Sequence, residues 1–120
     1  MSLQTYRDLE TWKVSMDLVD AVYEITSELP SREKYNIISQ LERAAVSIPC
    51  NIAEGYGRIH RGDYVHHLSM SQGSLRETET LLIICVRRNF VSRERMKPVW
   101  DIAEQVGKLL TKLIQSLRTK

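Results

Sequence analysis

Three histidines, His60, His66 and His67, are the side chains that could do acid–base work near neutral pH. His66 and His67 are neighbours in a helical stretch, so they point about 100° apart and do not chelate one metal ion together. A di-metal site in a helical bundle takes two Glu-x-x-His pairs on different helices. This chain has Asp63-Tyr64-Val65-His66 once, with the shorter acid. Cys50 and His60 are a nucleophile and a base by type, but ten residues along a helix put them about 15 Å apart. No third residue orients the base and no oxyanion hole is evident. Glu54-Gly55-Tyr56-Gly57-Arg58 lacks both the GxxxxGKS/T spacing and the preceding strand of a phosphate-cradling loop. These patterns predict no catalysis, no metal and no cofactor.

Charge is the chemistry the sequence offers instead. The net charge is only +2, but residues 1–33 carry net −4, residues 34–63 net +1 and residues 64–120 net +5. The sharpest basic run is Arg87, Arg88, Arg93, Arg95 and Lys97, offset by Glu94, with Lys108, Lys112, Arg118 and Lys120 following. Arginine outnumbers lysine four to one from Arg87 to Lys97, which suits bidentate contacts to phosphate. These five, with Arg58 and Arg61, are the candidate nucleic-acid-binding residues. Tyr56 and Tyr64 are candidate base stackers, and the spacing of Tyr64 also fits a core position. A mixed, merely solvated surface yields the same distribution, so the charges alone leave both readings open.

A second constellation is polar rather than charged. Ser47, Asn51, Glu54 and Arg58 recur at i, i+4, i+7 and i+11 on the face opposite Leu41, Ala45, Ile48, Ile52 and Tyr56. The short side chains suit sideways hydrogen bonds to a close neighbour. Ser69, Ser71, Gly73 and Ser74 give the next helix a similar small-residue face, followed by Glu77. The expectation is a structural polar contact in which Ser47, Asn51 and Glu54 meet Ser74 and Glu77, with Arg43, Arg58 or Arg76 as partner to any buried carboxylate. The alternative is that Glu54 and Glu77 are simply solvated.

Four helical segments must position these groups. The first is expected over Leu9–Leu29, capped by Asp8 and stopped by Pro30. Leu9, Trp12, Met16, Val19, Tyr23 and Thr26 form one apolar stripe on it, beside a second of Val14, Leu18, Val22, Ile25 and Leu29. So wide an arc predicts more than one neighbour. The second helix is expected from Ser31 to Arg58, with a bend at Pro49, and the third from Tyr64 to Arg88, capped by Asp63 after a break at Arg61-Gly62. Ser92 opens the last, which ends near Leu117 and runs along Met96, Val99, Trp100, Ala103, Val106, Leu110, Leu113 and Leu117, with Pro98 either delaying or bending its start. No alternating run suggests a strand. The fold class is therefore all-α, an up-down-up-down four-helix bundle forming one domain over residues 1–120. With 42% hydrophobic and 27% charged residues the composition is that of a soluble globular protein. Cys50 and Cys85 lack CxxC spacing and read as reduced, buried residues of a cytoplasmic protein. Arg7, Asp8 and Glu10 interrupt any signal-like start, and Leu81–Val86, the longest strongly apolar run, is too short to span a membrane.

Gln40-x-x-Arg43-Ala44-Ala45-x-Ser47-Ile48-Pro49-x-Asn51-Ile52-Ala53-Glu54-Gly55-x-Gly57-Arg58, followed by Gly73-Ser74-x-x-Glu77-x-Glu79, resembles a family of small bacterial four-helix bundle proteins. Its members are encoded in intervening sequences of large-subunit (23S) ribosomal RNA genes and are similar to the accessory variability protein of diversity-generating retroelements. Asp8-Leu9-x-x-Trp12 matches the start of the same pattern, so the resemblance spans almost the whole chain. Cys50 stands where the pattern usually has Ser. The resemblance implies a four-helix bundle, a ring-like homopentamer and a nucleic-acid-binding role. It implies no ribosomal role, since the family's name reflects where its genes lie, and it lends little support to the basic run in the last third.

Two function classes follow. One is a non-enzymatic, homo-oligomeric accessory protein that binds RNA or DNA, in which assembly multiplies a modest basic patch around a ring. The other is a scaffold or adaptor for an unidentified protein partner, with the charges serving solubility.

Overall fold

The structure is a computed structural model and describes residues 5–118; Lys120 lies outside them. Among these residues four α-helices, α1 (Glu10–Thr26), α2 (Ser39–Tyr56), α3 (Arg61–Arg87) and α4 (Arg93–Arg118), run up-down-up-down as an all-α bundle without strands. The bundle measures 46 × 25 × 22 Å. Each helix packs against the next, and α4 closes back on α1. None of the described helices is long and apolar enough to cross a membrane.

The second apolar stripe of α1 forms its core face: Leu18, Val22 and Ile25 are completely buried. They meet Leu41, Ile48 and Ile52 of α2, Leu68, Leu75 and Leu82 of α3, and Val99, Val106 and Leu110 of α4 in one continuous core. The first stripe is different. Leu9 and Thr26 are buried, Trp12 and Val19 are half-buried, and Met16 and Tyr23 are exposed. In α4 the core also takes Ile114, which the expected seam omitted, while Trp100, Leu113 and Leu117 lie at its margin.

The helix ends depart from expectation in ways the local chemistry explains. Leu9, not Asp8, is the N-cap of α1, and it makes no side-chain cap. Asp8 instead closes a short 3-10 turn, Tyr6–Asp8, where its Oδ2 accepts from the Thr5 N–H (3.1 Å) and Thr5 Oγ1 accepts from the Arg7 N–H (3.0 Å). Helical turns do begin at Ser31 after Pro30, but as a 3-10 turn (Ser31–Glu33) and then a π turn (Lys34–Ile38). The wider turn admits one extra residue, so that both Ile37 and Ile38 reach the core before the regular spacing of Leu41, Ala45, Ile48 and Ile52 begins. Helix α2 continues across the buried Pro49 and ends at Gly57. The break before α3 falls at Gly57–His60 rather than Arg61-Gly62. His60 is the extended N-cap, and Asp63 sits in the first turn, where its charge complements the helix dipole.

The α3–α4 turn is set by Asn89, whose φ of 61° is left-handed. The Phe90 N–H reaches the Cys85 carbonyl (2.9 Å) and the Asn89 N–H that of Val86 (3.0 Å), which satisfies the last carbonyls of α3 in a Schellman motif. Ser92 then caps α4, its Oγ accepting from the Arg95 N–H at 3.1 Å.

Candidate nucleic-acid interface

The topology divides the seven candidate cations between the two ends of the bundle. Arg58 and Arg61 flank the α2–α3 turn at one end. Arg87, Arg88, Arg93, Arg95 and Lys97 surround the α3–α4 turn at the other, beside the connection from α1 to α2. Arg61 and Arg87 are the two ends of α3, 26 residues apart, which is about 39 Å of helix. The two groups do not form one surface within a single chain.

Within each group some charges are already committed. Arg58 pairs with Glu54 one turn earlier in α2 at 3.1 Å, with both side chains about half exposed. Arg95 reaches across to α1, donating from Nε (2.9 Å) and Nη2 (2.7 Å) to Oε2 of Glu28. Its Nη2 also lies 4.0 Å from Glu24. This pairing joins residues 67 apart in sequence and has no local signature. Lys97 binds Asp101 at 2.5 Å, and that hydrogen bond holds its ammonium pKa above the ordinary value. Arg87, Arg88 and Arg93 are exposed and meet no carboxylate among the described residues. They are the uncommitted part of the basic run.

Between α3 and α4 at this end lies a groove of about 500 Å³, lined by Leu82, Ile83 and Val86 on one wall and Met96 and Trp100 on the other, with Arg87, Arg93 and Lys97 at its rim. The sequence contained a signal for it. Leu81 to Val86 is six apolar residues in a row, and one core-facing stripe of a helix cannot absorb all six. Leu81, Leu82 and Cys85 face the core, whereas Ile83 is exposed.

The polar stripe of α2 does face α3, but with other partners than expected. Asn51 Oδ1 lies 3.2 Å from Nδ1 of His67, and Asn51 Nδ2 donates to the Ser47 carbonyl at 2.9 Å. The buried Ser71 donates to the Ile48 carbonyl at 2.9 Å. Ser47 turns back to the Ala44 carbonyl, and Ser74 contributes its carbonyl to Thr78 within α3. Glu77 is exposed and shares a cleft of about 360 Å³ with Gln40, Arg43, Ala44 and Ser47. Glu54 is occupied by Arg58 rather than by α3. The cross-helix polar contact is therefore Asn51–His67 and Ser71–Ile48, one turn or more from Ser74 and Glu77.

Gly55 explains how closely the two helices approach. A Cβ there would sit 2.7 Å from Cβ of His67 and 3.1 Å from Cδ1 of Tyr64. Gly73, by contrast, faces open space. Tyr56 and Tyr64 meet edge to face with centroids 6.0 Å apart, half-buried at the margin of the core. Burial, with Tyr56 beside it, pushes the Tyr64 hydroxyl up to about 12. The cysteines differ from each other. Cys85 is buried, its thiol pushed up to about 11 by burial and by the nearby Glu33 carboxylate, whereas Cys50 is exposed. His60 lies on the exposed turn, and His66 and His67 stack edge to face at 6.0 Å. Among the described residues no three His, Cys, Asp or Glu side chains converge as a metal site.

The fold has a solved counterpart. A crystallised protein of unknown function from the S23 ribosomal protein family of Bacteroides thetaiotaomicron superposes with a TM-score of 0.80 at 22% identity, over 87% of this chain and 97% of that one. At that identity the likeness is one of fold. No curated protein matches the chain. The pattern of the 23S rRNA-intervening sequence proteins matches residues 7–112, and the chain belongs to that family.

Proposed function

We propose that the chain is a non-enzymatic, homo-oligomeric accessory protein that binds RNA or DNA through the α3–α4 end of its bundle. The observation that carries this reading is the set Arg87, Arg88 and Arg93, exposed together around one turn and without a carboxylate partner among the described residues. Arg93 is the first residue of α4, at the positive end of the helix dipole. A cation there is unfavourable by roughly 0.3–1 kcal/mol, a cost that an anionic ligand removes. Self-assembly is supported by the exposed Met16 and Tyr23 beside half-buried Trp12 and Val19 on α1, and the family resemblance suggests a pentamer. Repeating three arginines around a ring raises local potential and adds avidity to weak phosphate contacts.

Reversing Arg87, Arg88 and Arg93 to Glu is expected to weaken binding to labelled RNA and DNA of any sequence, with the helical circular-dichroism signal retained. Undiminished binding by the folded variant would move the interface to Arg58 and Arg61. The same apolar stripe on α1 also favours a scaffold that holds another protein. Absence of any binding by the native protein to RNA or DNA would make that the better reading.

A further inference from the structure

Resting on the nucleic-acid reading, we infer that the α3–α4 groove is a seat for an unpaired base, so that the ligand is single-stranded rather than duplex. The groove's walls are Leu82, Ile83, Val86, Met96 and Trp100, and its cations sit at the rim. Its volume of about 500 Å³ lies within the roughly 300–1,000 Å³ typical of sites for small organic groups. A phosphate backbone has no use for such walls, and a duplex keeps its bases stacked inside. A single strand can splay a base into the groove, against the indole of Trp100, while its phosphates meet Arg87 and Arg93.

The two arginines are well placed for that division of labour. Arg87 ends α3 and Arg93 begins α4, so they bracket the mouth where the helices join, and neither is held by a carboxylate among the described residues. Lys97 lies one turn further along α4 and shares its charge with Asp101. Trp100 follows within one more turn. The order along α4 is thus cation, cation, aromatic surface, leading from the exposed end into the groove. Charge complementarity at the rim favours a polyanion over an uncharged apolar segment.

The test compares a short oligouridylate with a blunt RNA duplex of equal length, both fluorescein-labelled, by anisotropy on the full chain. The strand is expected to bind at least about ten-fold more tightly than the duplex. Trp100→Ala is expected to weaken strand binding about ten-fold without changing duplex binding, and Trp100→Phe to restore most of the loss, because the aromatic face is what the base uses. Trp100 packs partly against the core, so Ile83→Glu, at an exposed position on the groove wall, provides a second variant. It should weaken strand binding by a similar factor by placing a charged carboxylate on the apolar wall where the base sits. Equal affinity for strand and duplex, shifted alike by these variants, would overturn the groove while leaving electrostatic binding intact. A fall in particle mass by light scattering in both Trp100→Ala and Ile83→Glu would also overturn it, since a second copy would then occupy the groove. Failure of the native chain to bind either probe would remove both readings.

Discussion

At the scale of single residues the structure separates groups that look alike in sequence. Cys50 and Cys85 both read as small buried thiols, yet one is exposed and the other lies in the core. Cys85 follows the buried Leu75, Thr78 and Leu82 at helical spacing, a periodicity that sets it in the core. Periodicity gives no such support to Cys50, which lies off the line of Ile48 and Ile52. Under native conditions a thiol reagent at pH 8 should modify one cysteine per chain, Cys50, and peptide mapping should find Cys85 unmodified. Modification of both at similar rates would contradict the burial. The raised thiol pKa also has a pH signature. Its folded value, about 11, exceeds the ordinary 9.0, so its contribution to stability is complete below about pH 9 and lost between there and about pH 11. Among the arginines, sequence could not distinguish Arg95 from Arg93. Only the fold shows that Arg95 is held by Glu28 and that Arg93 is not.

At the scale of elements, α4 could be read almost to its ends because a side chain caps it, whereas α1 and α3, which have no side-chain cap, differ from expectation by about three residues at one end. Ser92 opens α4 as expected, while α1 ends at Thr26 with Ser27 as its C-cap, short of the stop expected at Pro30. The π turn over Lys34–Ile38 was not legible, since it arises from the need to bring both Ile37 and Ile38 to the core. The α2–α3 polar contact was legible in kind but not in register. Small and polar residues on both helices announced a close approach, while the depth at which α3 slides along α2 depends on where Gly55 meets His67. That register makes a prediction. Gly55→Ala should destabilise the chain by roughly 1–3 kcal/mol, because the new methyl would lie 2.7 Å from Cβ of His67. Gly57→Ala should be neutral or stabilising by up to about 1 kcal/mol, since Gly57 has a right-handed φ of −79° and its Cβ would meet nothing closer than 3.6 Å. Thermal melts of the two variants check this, and equal shifts would mean that Gly55 does not set the helix spacing.

At the scale of the molecule the charge asymmetry visible along the sequence is partly neutralised inside the fold. Glu28 and Glu24, from the acidic residues 1–33, take Arg95 from the basic run. What remains exposed includes a compact set of three arginines at one end and, from the apolar stripe on α1, Met16 and Tyr23. Met16 and Tyr23, beside half-buried Trp12 and Val19, are apolar surface that this bundle leaves uncovered, so the chain is expected to assemble. Size exclusion with light scattering should give a multiple of the 13.9 kDa chain mass, five-fold if the family resemblance holds in this respect. A monomer mass at micromolar concentration would contradict it.

The central claim is that Arg87, Arg88 and Arg93 meet phosphate, and the salt dependence of binding tests it most directly. Each phosphate neutralised on a single strand contributes about −0.7 to the slope of log affinity against log salt. The native chain should therefore bind labelled single-stranded RNA at ~50 mM salt with a steep linear slope. The Arg87→Glu, Arg88→Glu, Arg93→Glu variant should bind more weakly with a slope shallower by at least about 2. An unchanged slope in that variant, or no binding by the native chain, would contradict the account.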